Sequence, residues 1–158
     1  MPGYAGKILR VDLSSGRIST EPLKPEMVRD YLGARGFAAR ILYDEVPAGA
    51  DPLGPENKVV VASGPLSGTF VPAAGKITFA AKSPATNGWG DSNMGGHLAS
   101  ELKYAGYDAI ILEGVAPGPS YLYIMNDRVE IRDASSLWGK DALETERALK
   151  DELGDEFQ

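Results

Sequence analysis

Apolar residues arrive in this chain in short alternating bursts separated by turn residues, and that cadence constrains the fold more than anything else in it. Residues 7–13 alternate and read as a strand, Ser14, Ser15, Gly16 and Arg17 make a turn, and residues 18–23 return as a second strand. Pro25 suits the start of a helix with Met27, Val28, Tyr31 and Leu32 on its apolar face, ending at Gly33. A second helix carries Ala38, Ile41 and Leu42 inward and ends near Val46 and Pro47. Residues 58–63 form a continuous apolar run, the mark of a buried strand. After the long irregular stretch 64–75, residues 76–82 alternate again: Ile77, Phe79 and Ala81 face one way, Lys76, Thr78, Ala80 and Lys82 the other. Residues 108–114 read as a core strand, 121–124 and 129–132 as a hairpin, and 142–153 as a helix with Leu143, Ala148 and Leu149 inward. Strands with inserted helices and no regular βαβ alternation predict an α+β fold with mixed, mostly antiparallel sheets rather than a Rossmann fold. No low-complexity linker divides the chain, so one domain over residues 1–158 is expected.

The chemically suggestive stretch is Trp89-Gly90-Asp91-Ser92-Asn93-Met94-Gly95-Gly96-His97, which reads as a loop opening into a helix. Asn93 is a good N-cap type, Met94, Leu98, Leu102 and Ala105 fall at helical spacing, and Gly106 stops the helix. Glycine in a first turn costs roughly 1 kcal/mol relative to alanine, so Gly95 and Gly96 call for an offsetting role. Either their uncluttered amides receive a phosphate, or they let the helix pack tightly on a sheet.

Other positions carry paired readings. Lys76 sits at a strand mouth beside the long loop, either pairing with a ligand phosphate or standing as a solvated lysine. Arg35, between Gly33 and Gly36, can reach an anion or tie two helix ends together through their carbonyls. Trp89, Asp91 and Ser92, in the loop before the helix, can line a pocket. A hydrolytic set of Asp91, Ser92 and His97 is disfavoured, because His97 pairs at i+4 with Glu101 along one helix face.

Composition narrows the field. The chain has no cysteine and one histidine, which excludes disulfides, cysteine-ligated zinc or iron–sulfur clusters and a cysteine nucleophile within it. A net charge of −6 argues against a nucleic-acid or anionic-membrane surface. No apolar run approaches a membrane span and the N-terminus does not resemble a signal peptide, so the expected compartment is the cytoplasm. What remains is a chain that works by holding something.

Several stretches, taken in order, resemble a known family. They are Tyr4-Ala5-Gly6-Lys7, Tyr31-Leu32-Gly33-Ala34-Arg35-Gly36, and Asp51-Pro52-Leu53-Gly54-Pro55-Glu56-Asn57-Lys58 running on to Ala62-Ser63-Gly64-Pro65-Leu66-Ser67-Gly68-Thr69. Lys82-Ser83-Pro84, Asn93-Met94-Gly95-Gly96, Glu101-Leu102-Lys103-Tyr104-Ala105-Gly106-Tyr107-Asp108-Ala109-Ile110 and Ile131-Arg132-Asp133-Ala134 follow. The ordered set, over nearly the whole chain, resembles the N-terminal domain of the tungsten-containing aldehyde:ferredoxin oxidoreductases.

The resemblance implies an enzyme that oxidises aldehydes to carboxylic acids, with some relatives acting on other substrates, and passes electrons through an iron–sulfur cluster to ferredoxin. It implies tungsten or molybdenum held by two pterins (a molybdopterin-type cofactor), a magnesium ion bridging their phosphates, and an N-terminal domain whose paired sheets form a platform for the pterins. The family's asparagine falls on Asn93, whose backbone carbonyl would face the magnesium, and Gly95 and Gly96 would turn their amides to a pterin phosphate. A basic residue of the family, usually arginine, is Lys76 here, which keeps the charge and loses the bidentate fork. The 4Fe–4S ligands belong to later domains, so the resemblance also implies a truncated domain, inactive alone, whose partner is the remainder of the enzyme. Exposed apolar surface and self-association are expected. The alternative is a non-catalytic binding or assembly module that keeps the scaffold.

Overall fold

The computed structural model describes residues 2–155. The strands are β1 (Lys7–Asp12), β2 (Arg17–Pro22), β3 (Lys58–Ser63), β4 (Ile77–Lys82), β5 (Trp89–Met94), β6 (Ala109–Glu113), β7 (Ser120–Met125) and β8 (Arg128–Asp133). The helices are α1 (Pro25–Tyr31), α2 (Arg35–Glu45), α3 (Leu98–Tyr104) and α4 (Ala142–Leu153). Six strands join in one sheet, ordered β2-β1-β6-β3-β4-β5, and β7 and β8 make a separate hairpin. Among the described residues only the β1–β6 pairing is parallel, and every other ladder is antiparallel. The expected mixed α+β architecture is what forms.

Alternation along the central strands gives the sheet two apolar faces, because neighbouring side chains point to opposite sides. On one face Ile8, Val60, Ala62, Ala80 and Ile111 meet α2 through Phe37, Ala38, Ile41 and Leu42. On the other, Leu9, Val11, Val61, Ile77 and Ile110 meet Ala99 and Leu102 of α3, with Leu122, Ile124, Val129 and Ile131 of the β7–β8 hairpin alongside. Gly106, at φ 97°, turns the chain out of α3, and Tyr107 N–H closes the helix end on the Leu102 carbonyl at 3.0 Å.

Charge fixes α2 to the sheet. The Arg10 guanidinium forks onto Glu45 at 2.8 and 2.9 Å, and also reaches Glu21 at 3.0 Å and Glu113 at 3.1 Å. Lys58 bonds Glu113 from the other side. The hydrogen bonds from Arg10 hold the Glu45 carboxyl below its ordinary pKa, against an opposing push from burial. A carboxylate whose folded pKa is depressed lends stability above the unfolded value, about 4.3, and withdraws it as pH falls through the folded pKa. Glu45→Gln is therefore expected to unfold at lower urea than wild type at pH 7. That gap should narrow steadily below about pH 4.3, and urea midpoints taken across this range check it.

At the C-terminal end Asp141 caps α4 in a capping box: its carboxylate accepts from Glu144 N–H at 2.8 Å, and the Glu144 carboxylate accepts from Asp141 N–H at 3.3 Å. The helix buries none of its residues fully. It stands over α3 and β7 across an apolar cleft of about 600 Å³ that Leu98, Leu102, Leu122, Leu149 and Leu153 help to line. Leu143, expected inward, is 63% exposed. Phe70, Val71 and Leu66, in the connection between β3 and β4, are likewise exposed apolar groups. No helix among the described residues is long and apolar enough to cross a membrane.

Candidate functional site

The stretch expected to be a loop and a helix cap is a strand. β5 pairs antiparallel with β4 along its whole length, placing Asn93 opposite Thr78 and Met94 opposite Ile77. A backbone committed to that ladder cannot also begin a helix, so α3 starts only at Leu98, with His97 in the N-cap position and no side-chain cap. Trp89, Asp91 and Ser92 accordingly lie on a strand, and Met94 belongs to β5 rather than to the helical face.

Two side-chain ties hold this edge strand on the face toward α2. Asp91 accepts from Arg35 Nε at 2.7 Å and pairs with Arg35 Nη2 at 2.6 Å, and it accepts from the Trp89 indole N–H at 2.8 Å. Those donors, the indole first and the guanidinium second, lower the Asp91 pKa. Arg35 is thus a tie between the α1–α2 corner and the sheet edge, made through a carboxylate rather than through helix carbonyls. One pleat further on, the Thr78 hydroxyl donates to Asn93 Oδ1 at 2.9 Å. Thr78 is buried, whereas Asn93 is exposed.

Past Met94 the chain leaves the ladder. Gly95 and Gly96 are exposed, and a Cβ at either would meet nothing within 4 Å. Gly96 has φ 103°, which a side chain would strain. Among the described residues no hydrogen bond engages the amides of Gly95, Gly96 or His97. Of the two readings of the glycine pair, tight packing against a sheet is therefore not what the glycines provide; the space beside them is open.

Lys76 comes to the same end of the sheet by an approach that composition did not reveal. A Cβ on Gly75 would sit 2.7 Å from the Gly96 carbonyl oxygen, so the β3–β4 connection and the β5–α3 loop touch backbone to backbone. Lys76 follows directly, exposed, and its ammonium has no carboxylate partner among the described residues. An ammonium, three unengaged backbone N–H groups and Cβ-free space suit a phosphate-bearing group. No three His, Asp or Glu side chains among the described residues converge as a metal site.

The hydrolytic set does not assemble. Asp91 is committed to Arg35 and Trp89, and Ser92, its neighbour on a strand, points to the other face. The residues not singled out from sequence are Thr78 and Gly75. Thr78 had a signal, as the one hydroxyl within an apolar strand. Gly75 had none, since its role depends on a carbonyl twenty-one positions away in sequence.

The chain as a whole is similar to known proteins. A family model described as aldehyde ferredoxin oxidoreductase, N-terminal domain, matches residues 8–158. The tungsten-containing aldehyde ferredoxin oxidoreductase of Pyrococcus abyssi (strain GE5 / Orsay) is 50% identical over 155 residues, 98% of this chain and 26% of the relative. The aliphatic sulfonate oxidoreductase, WOR-like subunit, of Pyrococcus furiosus is 39% identical over 161 residues, 100% of this chain and 26% of the relative. Among solved structures, the active site complex BamBC of benzoyl coenzyme A reductase with 1,5-dienoyl-CoA superposes with a TM-score of 0.95 at 45% identity, covering 98% of this chain and 24% of the other. The chain spans about a quarter of the length of these relatives.

Proposed function

The chain belongs to the aldehyde ferredoxin oxidoreductase N-terminal domain family, and from that premise we propose that it is the cofactor platform of a tungsten or molybdenum bis-pterin oxidoreductase. Gly95 and Gly96 would offer their amides to a pterin phosphate, Lys76 would add a positive charge there, and the Asn93 backbone carbonyl would be a ligand for the magnesium that accompanies the cofactor. When bound, the cofactor supplies the two-electron chemistry of aldehyde oxidation, in which aldehyde and water become a carboxylic acid. This chain's residues grip the phosphate end and fix its direction. The observation that carries the reading is the run of unengaged amides at the exposed residues 95–97, the first two of which have no side chain and open space beside them.

The names of several similar relatives support an aldehyde as substrate and ferredoxin as electron acceptor on this reading. The 4Fe–4S cluster belongs, on this reading, to the remainder of a longer polypeptide, without which the domain has no activity. The same remainder accounts for the exposed Phe70, Val71 and Leu66; a domain kept alone would self-associate through them. The work is assigned to the cytoplasm.

Gly95→Val puts a branched side chain where the phosphate would sit, in space that is otherwise free, so it should leave the fold intact. In the full-length enzyme it is expected to lower tungsten and pterin content per chain at least tenfold, with the thermal midpoint nearly unchanged. Elemental and pterin analysis of the purified variant checks this, and wild-type content would remove the site.

A further inference from the structure

We propose that Thr78 is a positioning residue for this site, through the side-chain hydrogen bond it makes to Asn93, two residues before the glycine pair. The inference rests on the platform reading above. Thr78 is 3% exposed, and Asn93 Oδ1 is the acceptor for its hydroxyl. A buried hydroxyl without a partner costs free energy, so this bond persists. For Asn93 the bond matters differently. The residue is exposed on an edge strand, and the bond restrains its side chain in one rotamer. Met94, opposite Ile77, completes the ladder, and Gly95 and Gly96 follow it without side chains to define their own path. The direction of the Asn93 carbonyl, and with it the start of the path that runs through Met94 to the glycine amides, is therefore set by the Thr78–Asn93 pair. Asp91, one pleat earlier, is held independently by Arg35, so loss of the Thr78 hydroxyl loosens the end of β5 without detaching the strand.

The test uses the full-length, cofactor-loaded enzyme. Thr78→Val keeps the shape and removes the hydroxyl, Thr78→Ser keeps the hydroxyl, and Asn93→Ala removes the acceptor while leaving the backbone carbonyl. Magnesium and tungsten per chain are measured after dialysis, alongside the thermal midpoint. Thr78→Val and Asn93→Ala should each retain roughly five- to tenfold less metal, the size of one net hydrogen bond. The double variant should be no worse than either, because both remove the same bond. Thr78→Ser should stay within about twofold of wild type. A merely structural threonine would lower the thermal midpoint and leave metal content per folded chain untouched, and that result overturns the proposal. So does an additive double variant, which remains readable if Thr78→Val folds poorly and is compared at reduced temperature. If Thr78→Val keeps its metal while Gly95→Val loses it, positioning by Thr78 is wrong and the site stands. If both keep it, the site falls and this inference with it.

Discussion

Asp108→Ala is expected to cost about 3–5 kcal/mol, the penalty for breaking a buried ion pair and leaving one charge uncompensated. Asp108 is 1% exposed, just after α3 and before β6. Its carboxylate accepts from Ala5 N–H at 3.0 Å and Gly6 N–H at 2.6 Å, and pairs with Lys103. Lys103, 9% exposed along its side chain, also donates to the Gly3 carbonyl at 2.7 Å and lies 5.4 Å from the centre of the Tyr4 ring. The substitution strands two amides and an ammonium together and frees the N-terminal arm from α3. Asp108→Asn, which keeps the acceptor and loses the charge, should fall between the two. Urea unfolding of the three proteins at one pH measures the series, and a loss under about 1 kcal/mol for Asp108→Ala would show the carboxylate to be replaceable.

The second large effect lies at Gly36. A Cβ there would be driven into the Tyr31 carbonyl oxygen, at the corner where α1 hands over to α2. That corner is already tight: Gly33 N–H donates to the same carbonyl at 2.7 Å, Gly36 N–H donates to Gly33 at 2.9 Å, and Ala34 N–H reaches the Ser63 carbonyl at 2.9 Å. Relief requires α1 to move, and backbone shifts of this kind cost about 1–3 kcal/mol or more. Because Arg35 precedes Gly36, the same movement pulls the guanidinium off Asp91 and slackens β5. Gly36→Ala should therefore unfold at lower urea and, in the loaded full-length enzyme, retain less metal. Gly118→Ala, at a position with open space around it, should stay within about 0.5 kcal/mol of wild type.

The sequence and the structure agree for most of the periods that could be read, Met94 and Leu143 being the exceptions. The faces of α2, the buried run in β3 and the alternation in β1 announce themselves because burial selects side chains at fixed spacing. The turn between β7 and β8 is Asn126-Asp127, with Asn126 at φ 54°, a conformation that asparagine tolerates. β5 does not announce itself as a strand, because Trp89-Gly90-Asp91-Ser92-Asn93 has no apolar alternation. It is an edge strand whose place is set by Arg35 and Thr78, from elements distant in the chain. The glycine pair was legible as an oddity; its neighbourhood with Lys76 was not, because Gly75 and Gly96 meet only after both strands are in register.

The position of β6 bears on assembly. It lies between β1, which it joins in parallel, and β3, which it joins antiparallel, and it is the last of the six to leave the ribosome. Until residues 109–113 are synthesised, the first hairpin and the β3–β4–β5 meander are separate pieces with raw edges facing each other across a missing slat. Nascent chains of this kind spend their early life unclosed, and the keystone arrives late, inserted between two waiting flanks rather than added at a rim.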